Sequence, residues 1–64
     1  MLPTKTLRER EKELQALLAH RAGQELLSTL EARYQARSGR VRPEGTSVVT
    51  YILVYERERR LITS

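Results

Sequence analysis

The chain contains no Cys, Asp, Asn, Phe or Trp, and its single histidine is His20. Each absence removes a class of chemistry. Without cysteine there is no disulfide framework and no thiol nucleophile, and the redox compartment leaves no mark. An ordinary structural metal site draws on Cys and His, with Asp or Glu in support. One histidine and no thiol make a poor ligand set, so neither a metal nor a cofactor is expected. A serine–histidine arrangement would have to use His20, which sits at a charged helix end with no patterned serine beside it. Paired-carboxylate chemistry needs two acids in unlike environments within a cleft. Glu9, Glu11 and Glu13 read instead as one solvated helix face. The three glycines, Gly23, Gly39 and Gly45, lie too far apart for a phosphate loop or a dinucleotide fingerprint. The chain is therefore expected to bind rather than to catalyse.

Long apolar runs are absent as well. Val48 to Tyr55 is the longest apolar stretch, far below the roughly 20 residues that a membrane-spanning helix needs. The run Met1-Leu2-Pro3-Thr4-Lys5-Thr6 carries no apolar leader, and a cytoplasmic protein with no membrane partner is the expectation. What remains is 64 residues, 39% hydrophobic and 31% charged, which suits one small globular domain over the whole chain, 1–64. A chain of this length buries only about 60% of the surface that its unfolded form exposes. With disulfides and metals removed, its stability has to come from packed helices, a partner chain, or both.

Two helices are legible. Thr6 followed by Glu9 is a capping-box pattern. Leu7, Leu14, Leu17 and Leu18 then fall on one stripe at helical spacing, beside the mixed-sign face Arg8 to Glu13. The spacing predicts a first helix over about 6–20, supported by pairs three apart such as Arg8–Glu11 and Glu9–Lys12. Gly23 marks a break, and Leu26, Leu27, Leu30 and Tyr34 form the stripe of a second helix over about 23–38. Gly39 is set as its left-handed C-terminal cap. The short join at His20 to Gly23 favours an antiparallel hairpin.

The third segment carries two readings. Thr46 to Tyr55 is dominated by β-branched and aromatic residues, which favours a strand after a type I turn at Arg42-Pro43-Glu44-Gly45. A lone strand would leave its backbone unpaired, however. As a helix over about 47–60, the segment has an N-cap in Thr46 or Ser47, and Arg57, Arg59 and Arg60 at the end where cations are favoured. The expected fold is all-α, a small three-helix domain that dimerises. The alternative is α+β, a helical hairpin followed by a strand paired across a dimer. Both versions leave apolar surface that two short helices cannot cover. Self-association through Val49, Ile52, Leu53 and Tyr55 follows from either.

The net charge of +4 is unevenly spread. Arg33, Arg37, Arg40 and Arg42 lie between Ala32 and Pro43 with no acid among them, and they equal the whole net charge. Guanidinium groups bind phosphate through two parallel hydrogen bonds. The free N–H groups at Gly45-Thr46-Ser47 would add to such a site. These four arginines are the candidate site for a nucleic-acid backbone or another anionic partner. The bland reading is that they cap a helix and pair with Glu31 or Glu44.

Ser47-Val48-Val49-Thr50-Tyr51-Ile52-Leu53, followed by Glu56 to Thr63, resembles the recognition helix and exit of winged-helix regulators. The resemblance implies DNA contact by this segment. The sequence departs from that pattern in two ways. Ser38 to Gly45 intervenes where a helix-turn-helix has a preceding helix and tight turn, and the segment is the most apolar in the chain. It is read as a core or interface element, and Tyr51 and Tyr55 as packing residues rather than base-stacking ones. The leading expectation is thus a self-associating, non-enzymatic helical binding protein, with nucleic-acid binding as the alternative. An adaptor using the charged face of the first helix comes third.

Overall fold

A computed structural model describes residues 6–63, with side chains through residue 59; the leading segment and Arg60, named above, lie outside those ranges. Three helices, α1 (Leu7–Leu18), α2 (Arg21–Ser38) and α3 (Val48–Thr63), pack pairwise against one another. There is no strand among the described residues, so the third segment takes the helical alternative. Ser47 caps it: its hydroxyl accepts from the Thr50 N–H at 3.1 Å, and its carbonyl accepts from the Tyr51 N–H at 3.0 Å. β-branched composition loses here because a helix satisfies its own backbone, whereas the described residues offer no strand partner.

α1 begins with the full capping box. The Thr6 hydroxyl accepts from the Glu9 N–H at 3.1 Å, and the Glu9 carboxylate accepts from the Thr6 N–H at 3.3 Å. Only Ala19 and His20 separate α1 from α2. The expected break at Gly23 is therefore misplaced: Gly23 is buried inside the first turns of α2. A Cβ there would overlap the Leu17 carbonyl, so the absent side chain is what lets α2 close onto the end of α1. Gln24 then donates its amide N–H to the Leu18 carbonyl at 2.7 Å, satisfying a group at the end of α1. At the far end of α2, Gly39 has φ 72 and donates to the Gln35 carbonyl, as its position in the sequence suggested.

The turn before α3 lies one residue later than expected. Thr46 donates to the Pro43 carbonyl at 3.1 Å, and Gly45, third in the turn, has φ 85. A positive φ at that position belongs to a type II turn rather than type I.

The core is small. Leu14 from α1, Leu27 from α2 and Val49, Tyr51 and Ile52 from α3 are its buried residues, with Leu17, Leu30, Tyr34, Val48 and Leu53 packed around them. Removing the side chain of Leu14, Leu27 or Ile52 should cost about 2–5 kcal/mol each.

Candidate functional site

The four arginines singled out from the sequence do not act as one group. Arg42 is taken by the fold. Its Nε donates to Glu31 at 2.6 Å and its Nη1 to the Thr46 carbonyl at 2.6 Å, tying the loop to α2 and to the entry of α3. Arg33 and Arg37, one helical turn apart on α2, are exposed. Among the described residues no carboxylate pairs with Arg33, Arg37 or Arg40. Arg40 is held by its backbone alone: its N–H donates to Ser38 Oγ, and its carbonyl accepts from the Tyr51 hydroxyl, each at 3.1 Å.

Arg37 and Arg40 meet a third arginine that the sequence reading left out of the site. Together with Arg59 of α3 they line a depression of about 220 Å³, whose walls include Ser38, Tyr55 and Glu58. Tyr55, Glu58 and Arg59 stand three and four apart, so they share a helical face once the third segment is taken as a helix. That spacing was the available signal. A second cleft of about 160 Å³ adjoins the first across Ser38, Arg40, Tyr55 and Glu58, and continues onto the apolar Val41, Pro43, Tyr51 and Val54.

The four self-association candidates also divide. Val49 and Ile52 are fully buried in the chain's own core, while Leu53 and Tyr55 are partly buried. The large apolar side chains left outside, among the described residues, are others: Val41 is 75% exposed, Val54 50%, Leu26 48%, Leu7 43% and Leu18 36%.

A polar cluster that sequence reasoning missed joins all three helices. Arg10 of α1 grips Glu56 of α3 with both Nε and Nη2 at 2.8 Å, and Tyr34 of α2 donates its hydroxyl to the same carboxylate at 2.8 Å. Arg10 also pairs with Glu13. The Glu56 hydrogen bonds raise the Arg10 guanidinium above its usual value against the opposing effect of burial, so it stays charged. Burial, followed by the hydrogen bond to Glu56, pushes the Tyr34 hydroxyl up to about 12. The Tyr34 ring stacks on Tyr55, with centroids 4.1 Å apart and planes at 15°. The Tyr55 hydroxyl is enclosed without a hydrogen-bond partner among the described residues. Arg10 had read as one charge on a solvated face, and its partner 46 positions away left no local trace.

Among the described residues no three of His, Cys, Asp and Glu converge as metal ligands, and no helix is long and apolar enough to cross a membrane. No protein-family model, curated protein or solved structure matches this chain. The arrangement sets Arg37 and Arg40, which no carboxylate pairs among the described residues, beside Glu58 and an apolar cleft.

Proposed function

We propose that this chain is a non-enzymatic helical binding protein that self-associates and meets a nucleic-acid backbone on the arginine surface where α2, the loop and α3 join. The observation that carries the backbone-binding half is the convergence of Arg37, Arg40 and Arg59 on one depression, with Arg33 a turn away along α2. A guanidinium committed to a carboxylate has little left for phosphate, and Arg33, Arg37 and Arg40 carry no such commitment among the described residues. The net charge of +4 favours the encounter.

Titration of the protein against duplex and single-stranded DNA at rising salt tests this half. Affinity should fall steeply with salt, because each phosphate contact releases counterions. Arg37→Glu with Arg40→Glu should lower affinity at least about tenfold and flatten the salt slope by about one per lost contact. No binding at low salt defeats the reading. Self-association is favoured by a separate observation, the exposed valines Val41 and Val54 beside a common cleft. Sedimentation across the micromolar range tests it, and a chain that stays monomeric defeats it.

A further inference from the structure

We infer that the second copy seats on the outer face of α3, with Val54 of each copy lodged against the other's cleft between α3 and the loop after α2. The inference rests on the self-associating half of the proposed function and specifies the surface involved. The inner face of α3 is already occupied, since Val49, Tyr51 and Ile52 fill the chain's own core. Its outer face is open at Val54, among the described residues. Val54 stands half exposed as a ridge between two grooves. On one side is the cleft of about 160 Å³ lined by Val41, Pro43 and Tyr51. On the other is a groove of about 230 Å³ between α1 and α3, where Leu7 and Leu53 meet Val54. Val41, exposed to 75%, lies at the far margin of the same strip.

A ridge beside grooves is the relief that a two-fold interface uses, because each copy supplies both the projecting side chain and the hollow that takes it. Charge points to the same occupant. The loop-side rim carries Arg40 and Glu58, and the α1-side rim carries Arg8, Glu11 and Arg57. Neither Glu11 nor Glu58 is joined to these arginines within the chain, among the described residues. A strongly acidic or strongly basic partner would meet like charge somewhere along this strip. A second copy brings both signs, so the rim carboxylates Glu11 and Glu58 can find Arg8 or Arg57 across the interface, which leaves Arg40 to the depression beside it. The need for cover is also present, since the described residues bury a core of only five apolar side chains.

Sedimentation velocity on the full chain and three variants tests the inference. The wild type is expected to dimerise with rising concentration. Val54→Glu and Val41→Glu should each weaken the dimer by about tenfold or more, as expected when a charge enters a desolvated apolar contact. Leu26→Glu, at a side chain 48% exposed on α2 and outside the strip, should leave the dimer intact. Circular dichroism accompanies each variant. If Val54→Glu loses helix, Val41→Glu decides the matter, because Val41 lies in the loop and outside the core. A dimer untouched by Val41→Glu and by a folded Val54→Glu overturns the surface assigned here and leaves self-association standing. A wild type that remains monomeric to about 100 µM, a Kd limit near 5.5 kcal/mol of binding free energy, overturns both and leaves the strip to a different protein.

Discussion

Arg10 and Arg37 are both helix-borne arginines in a chain whose acids are all glutamates, yet they end in opposite conditions. Arg10 is gripped by Glu56 through two hydrogen bonds, with Tyr34 on the same carboxylate, so its charge belongs to the fold. Arg37 opens onto a depression beside Arg40 and Arg59 and has no carboxylate partner among the described residues. Arg42 repeats the first condition on a smaller scale through Glu31. The difference teaches that a count of arginines overstates the binding surface. A guanidinium serves an external anion only where tertiary contacts have not already supplied one.

The strongest way to break the comparison is to remove the carboxylate at its centre. Glu56→Ala strips Arg10 and Tyr34 of a shared acceptor. It should cost about 2 kcal/mol in urea denaturation, below the 3–5 kcal/mol of a fully buried pair because the Arg10 and Glu56 side chains remain 22% and 19% exposed. A loss under about 0.5 kcal/mol would mean that the cluster is no more than a surface ion pair.

The stacked tyrosines sharpen the same contrast. Tyr34→Phe removes a hydroxyl bonded to a carboxylate and should cost about 1–1.5 kcal/mol. Tyr55→Phe removes an enclosed hydroxyl without a partner and should be neutral or slightly stabilising. The two urea midpoints should therefore move differently, although the rings lie face to face. pH gives a further reading. The folded Tyr34 hydroxyl is pushed up to about 12 from an ordinary 10.0, so its contribution is fully present below pH 10 and is lost as pH rises from 10 towards 12. Denaturation midpoints measured across that window should fall less steeply in Tyr34→Phe than in the wild type.

Glu31→Ala should convert Arg42 from the first condition to the second. The stability cost should be only about 0.5 kcal/mol, since the Arg42 side chain is 38% exposed. DNA affinity should rise, because the Arg42 guanidinium joins the open surface. Unchanged affinity would restrict that surface to the depression itself. A small stability effect, within about 0.5 kcal/mol, also belongs to Arg37→Glu with Arg40→Glu, because both side chains are exposed and no ion pair is broken. A much larger loss would show these arginines to be structural after all.

Most of the helical framework was legible before any tertiary contact was known. The Thr6–Glu9 box, the left-handed cap at Gly39 and the helical spacing of Leu14, Leu17, Leu27 and Leu30 are local features, and local backbone chemistry decides them. The misplaced break at Gly23 has a tertiary cause. Gly23 reads as a break by propensity, but it lies within a helix because another helix passes too close for a side chain. The candidate site was legible in part, since Arg37 and Arg40 were named together, while Arg59 needed α3 to bring it beside them.

What the sequence determined by itself was two helices and a third segment open to helix or strand, no residue set suited to thiol or metal chemistry, and an excess of positive charge centred on Arg33 to Arg42. Which charges remain available was decided by the tertiary structure alone. Glu56 lies 46 positions from Arg10, and no periodicity in the chain records that pairing; Glu31 was legible as one partner for the arginine cluster, but that it takes Arg42, 11 positions away, was not. The same holds for α3, whose apolar residues are alike in sequence yet divide into a buried side at Val49 and Ile52 and an open one at Val54. Burial depends on where neighbouring helices stop, and that is a property of the packed molecule.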